Sequence, residues 1–102
     1  GDLQQTVAAV REAVRLEPRL ARAWYNLGLA LNSLKQPEEA LAALLKGEAA
    51  DPADAGIPYA RATILAQLGR KMEAVMAVDR ALQVDSGHAQ ARQLRLMLES
   101  RP

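Results

Sequence analysis

Residues 23–31 read AWYNLGLAL. Ala23, Trp24, Leu27 and Leu31 recur at the three- and four-residue spacing of an amphipathic helix, yet Gly28 sits in its middle. Glycine costs a helix interior about 1 kcal/mol relative to alanine, so a contact must offset it. A residue without a side chain lets a second helix axis come close where leucine would hold it off. Gly28 therefore reads as a packing notch.

The surrounding sequence repeats. Sliding residues 21–54 onto 55–88 pairs Ala21 with Ala55, Tyr25 with Tyr59, Leu31 with Leu65 and Leu34 with Leu68. Further along, Glu39 meets Glu73, Ala40 meets Ala74, Ala43 meets Ala77 and Asp51 meets Asp85. A half-copy precedes them, with Gly1, Val7, Ala9, Val10 and Ala13 matching Gly69, Val75, Ala77, Val78 and Ala81. A fixed period of this length marks an array of supersecondary units.

Each unit reads as two helices. The first runs from about Arg22 to Leu34, and KQPEE then breaks the pattern. Pro37 suits the first turn of the next helix, where Glu38 and Glu39 complement the N-terminal dipole. That helix continues to about Ala50 and stops at Asp51-Pro52, because a residue before proline avoids the α region. In the next copy Gly69 suits a left-handed helix end. Pro58 is tolerated only in a first turn, so the first helix there is expected to start late, near Ile57. The half-copy supplies one helix, about Leu3 to Leu16, and the chain closes on another, Ala89 to Ser100. Sustained alternation of the kind that marks strands is missing. Ala62, Ala40 and Ala74 repeat the small-residue notch of Gly28.

These residues resemble the tetratricopeptide repeat. Its pattern of tryptophan, leucine and glycine is met by Trp24, Leu27 and Gly28, with Leu31 where tyrosine is usual. On the second helix Ala40 matches, Leu44 replaces an aromatic residue, Gly47 stands for alanine, and Pro52 closes the unit. In the next copy Ala62, Ala74 and Ala81 fit, whereas Pro58, Arg61 and Ser86 depart from the pattern. The resemblance implies an all-α fold, a right-handed α-solenoid of antiparallel helix pairs with about six helices. It divides the chain into a half repeat over 1–20, full repeats over 21–54 and 55–88, and a closing helix over 89–102. Gly1 then falls on the family's internal-turn glycine. The chain opens with GDLQQ rather than methionine, so the expectation is a piece of a longer protein.

The resemblance further implies a peptide or partner protein bound on the concave face of the first helices. Residues not claimed by packing there are Arg22, Tyr25, Asn26, Leu29, Asn32 and Ser33, followed by Tyr59, Thr63, Ala66 and Gln67. Gln93 and Met97 come from the closing helix. Two tyrosines one repeat apart pair an apolar body with a polar tip, and the amides can hold a peptide backbone. Some members grip the carboxylate of chaperone tails. Asn26 matches one such place, but Gly56 and Ala60 stand where cations are needed, so tail capture is not expected. The alternative use is structural, a module that holds together a larger parent protein or a homodimer. Leu3, Val7, Val10 and Val14 on the opening helix lack a preceding helix over one flank, a surface for self-association into a homodimer.

Bulk properties exclude other classes. The chain has 102 residues, net charge +1, half of its residues hydrophobic and no cysteine. No electrostatic footprint for nucleic acid stands out, and no apolar run reaches the roughly 20 residues of a membrane span. With no signal segment in it, a cytoplasmic location is the default expectation. His88 is the only histidine, so neither a metal site nor a histidine relay is assembled, and a helix-start role fits it better. Asp51 and Asp54 read as caps rather than as paired catalytic acids. Arg92, Arg95 and Arg101 read as the polar coat of a terminal helix whose inner stripe is Ala91, Leu94 and Leu98. No enzyme activity, cofactor or metal is expected.

Overall fold

A computed structural model describes residues 2–100, so Gly1 and Arg101 lie outside the described part. The described chain is all α-helix: α1 (Asp2–Leu16), α2 (Ala21–Ser33), α3 (Pro37–Ala50), α4 (Gly56–Gln67), α5 (Lys71–Val84) and α6 (Ala89–Ser100). The sequence reading places both ends of α6 and the end of α3 to the residue, and the starts of α1 and α2 within one.

By its contacts the chain divides into two compact units, Gly1–Asp51 and Pro52–Pro102. In the first, α2 packs antiparallel on α3 as a hairpin, and α1 packs on α2. Leu27, Leu31 and Leu44 are fully enclosed, and Val7 and Val14 complete the α1 side. Gly28 is the notch expected of it. A Cβ built there would lie 2.7 Å from Leu44 Cγ and 3.2 Å from the Ala40 carbonyl oxygen. The contact that offsets its helix cost is thus the second helix of its own hairpin.

In the second unit α4 packs on α5, and α6 packs on α5 and α4. Ala62, Ala74, Ala77, Val78 and Ala81 have no exposed surface. Small side chains at every crossing keep the helix axes close. On α6 the stripe Ala91 and Leu98 is buried and Leu94 is half-buried, as its spacing requires. Arg95 does more than coat the surface: its Nε lies 2.9 Å from Asp79 on α5 and 3.4 Å from Glu99, tying the helix to its neighbour.

The two hairpins turn by the same device. Gln36 N–H donates to Leu31 O (2.9 Å) and Lys35 N–H to Asn32 O (3.0 Å), while Arg70 donates to Leu65 O (3.0 Å) and Gly69 to Ala66 O (3.1 Å). This helix-ending motif needs a left-handed residue. Gly69 fills it at φ 75°, and Lys35, 34 positions earlier, is held there at φ 66°. The α4 start also departs from expectation. It begins at Gly56, one residue before Ile57, because Asp54 Oδ1 accepts the Gly56 N–H at 3.0 Å. Pro58 is then the third helical residue, where no hydrogen bond is lost.

Candidate functional site

Burial on α2 sorts its residues into two faces. Ala21, Leu27, Gly28, Ala30 and Leu31 are buried in packing. Arg22, Asn26, Leu29 and Ser33 are exposed, with Tyr25 and Asn32 half-buried. The positions 22, 25, 26, 29 and 33 lie three and four residues apart, so they form one continuous stripe. Leu29 keeps 40% of its surface exposed although it sits between buried neighbours. The Arg22 guanidinium lies over the Tyr25 ring, 4.5 Å from its centroid, presenting a flat cationic and aromatic platform. At the start of the stripe a depression of about 480 Å³ is lined by Arg22, Ala23 and Asn26 with Leu20, Ala50 and Asp51.

On α4 the corresponding residues carry more structural duty. Tyr59, Thr63 and Ala66 are half-buried and Gln67 is exposed. The Tyr59 ring rests against His88, with centroids 5.1 Å apart and planes tilted by 37°. Thr63 Oγ1 donates back to the Ala60 carbonyl at 2.7 Å, so its hydroxyl is engaged within the helix. Ala66 and Gln67 line a second hollow of about 360 Å³ with Leu94, Met97 and Leu98.

His88 takes the helix-start role read from the sequence. Its Nδ1 accepts the Ala91 N–H at 3.1 Å, capping α6. Asp85 Oδ1 accepts the Gly87 N–H at 3.0 Å in the turn just before it. Of the surface considered for self-association, Val7 and Val14 are buried and Val10 is half-buried, which leaves Leu3 exposed.

Sequence reasoning missed the far side of α2. Trp24 is half-buried there, its Nε1–H donates to the Pro18 carbonyl at 2.8 Å, and the Lys46 ammonium stands 5.2 Å from its ring. The proline six residues before the tryptophan was the available signal for the hydrogen bond. Among the described residues no group of three or more metal-ligating side chains gathers, and no helix is long and apolar enough to cross a membrane.

The sequence profile described as "Tetratricopeptide repeat" matches residues 21–54, the span of α2 and α3 whose glycine notch is described above. Residues 21–54 match the tetratricopeptide repeat. Solved structures carry the same fold across nearly the whole chain. MamA superposes with a TM-score of 0.88 at 21% identity, covering 96% of this chain and 57% of MamA. The Yersinia enterocolitica chaperone SycD, solved with a peptide of the translocator YopD, gives 0.82 at 19% identity, covering 98% of this chain and 76% of that one. The TPR2B domain of yeast Sti1, solved in a pHsp70 complex, gives 0.86 at 24% identity, covering 99% and 86%. The chain thus spans little more than half the length of MamA. No curated protein sequence matches it.

Proposed function

We propose that the chain is a protein-interaction scaffold whose first helices, α2 and α4, recognise a peptide or a segment of a partner protein. The observation that carries this reading is the α2 stripe, in which Arg22, Tyr25, Asn26, Leu29 and Ser33 stay out of the packing while the opposite face is buried. An exposed leucine beside a stacked arginine and tyrosine suits an amphipathic ligand, and the Asn26 amide can pair with its backbone. Solved relatives of the same fold hold peptides, as SycD does, which supports the class of ligand without naming it. No catalytic step is assigned, because binding alone accounts for these side chains.

A peptide array probed with the whole chain tests the reading. Double substitution Arg22→Ala with Tyr25→Ala is expected to lower the affinity of genuine hits at least tenfold while leaving helicity by circular dichroism intact. Hits that bind the double variant as tightly as the parent chain would refute it. Tyr59 makes a poorer single test, since its ring also supports His88.

A further inference from the structure

On the other side of α2, helices α1, α2 and α3 of the first unit enclose a cleft of about 510 Å³. Its floor is closed by Val14, Leu27 and Leu31, which are buried. Trp24 supplies an aromatic wall that is only half-buried, and exposed Ala42 keeps the α3 rim low beside it. The charged residues of the lining are three cations, Arg11, Arg15 and Lys46, and one carboxylate, Glu39. Arg11 and Glu39 join across one end at 2.8 Å, bridging α1 to α3. Arg15 is held by Glu12 on its own helix at 2.6 Å, and both remain more than half exposed. At the other end Pro18, Trp24 and Lys46 also line a smaller hollow that adds Arg19.

We propose that this cleft is a second recognition site, separate from the α2 stripe, for an acidic peptide segment bearing one large apolar side chain. The apolar group seats on Trp24 in the gap left by Ala42. Flanking carboxylates meet Lys46 and Arg15, and charge complementarity selects an acidic ligand over a basic one. Lys46 already lies over the indole, so a carboxylate drawn to its ammonium arrives next to the aromatic wall. The volume suits a single side chain and its neighbouring backbone.

Trp24 is the only tryptophan, which makes it a built-in reporter. The probe is an acidic hexapeptide of glutamates around a central phenylalanine, titrated into the whole chain at low salt. The expected result is a saturable change in Trp24 emission that weakens as salt rises. Amide shifts in nuclear magnetic resonance should include α1, α3 and the Trp24 indole N–H, whereas binding at the Arg22–Ser33 stripe would leave α1 unmoved. Ala42→Glu, at an exposed helix position that leaves the fold alone, should reduce affinity at least tenfold, as should Lys46→Glu with Arg15→Glu. Replacing the probe's phenylalanine by serine should abolish the response. The proposal is overturned if a lysine-based hexapeptide binds equally well, if the amides of α1 stay unmoved, or if emission is unchanged at millimolar peptide. It is equally overturned if emission shifts with protein concentration alone, which would assign the cleft to a second copy.

Discussion

At the residue scale, Gly28 sets two effects of similar kind against each other. Alanine there would gain about 1 kcal/mol of helix propensity, but its Cβ would fall only 2.7 Å from Cγ of the enclosed Leu44 side chain, well inside van der Waals contact. Overpacking of a filled core costs about 1–3 kcal/mol and wins. Gly28→Ala is therefore expected to lower the melting temperature by several degrees, and Gly28→Leu by more. Pairing Gly28→Ala with Leu44→Ala should cost less than the sum of the single changes, because the second makes room for the first. Calorimetry of the four proteins checks this. Lys35 is the opposite case. A side chain at φ 66° carries about 1 kcal/mol of strain that glycine lacks, so Lys35→Gly should raise the melting temperature. An unchanged or lower value would mean that the lysine is tied down by contacts stronger than that strain. His88→Ala removes both the cap on Ala91 and the ring contact with Tyr59. A loss of about 1–2 kcal/mol is expected in urea unfolding, and His88→Asn should restore the capping share alone.

At the element scale, helix ends were harder to read than helix interiors. The stripes of α2, α3 and α6 follow directly from three- and four-residue spacing, since only one register buries Leu27, Leu31 and Leu44 or Ala91 and Leu98 together. The left-handed turn at Gly69 was legible because glycine announces it, whereas Lys35 adopts the same turn with no local signal. There the hairpin geometry overrides the residue's own preference. The start of α4 slipped by one residue because Asp54 reaches over Gly56 to cap it, and side-chain reach is not encoded in periodicity. Asp54→Ala should cost about 1 kcal/mol and expose the first-turn amides of α4 to exchange, whereas Asp54→Ser should recover most of the loss. The exposed stripe on α2 was legible by subtraction from the packing face. The Trp24 cleft was not, because its walls come from three helices and depend on how α1 and α3 flank α2.

At the scale of the whole chain, the repeat register in the sequence corresponds to two hairpins built on one plan, each with a further helix packed on it. Repeat proteins are stabilised by local and nearest-neighbour terms, so a lesion is felt most where it is made. Gly28→Leu is expected to reduce amide protection in α1–α3 more than in α4–α6, measured by hydrogen exchange with mass-spectrometric peptide mapping. An equal loss over all six helices would instead show a single all-or-none unit.

On the proposed reading the ring of Tyr59 would have two claimants, a bound partner and His88. A partner that occupies the face now held by His88 must release the first turn of α6, and the free energy of that release is subtracted from the partner's affinity. The relation is reciprocal: whatever steadies the last helix would weaken such a guest, and whatever frays it would admit the guest more readily. A tyrosine shared in this way would make the order of the closing helix an adjustable dial on occupancy.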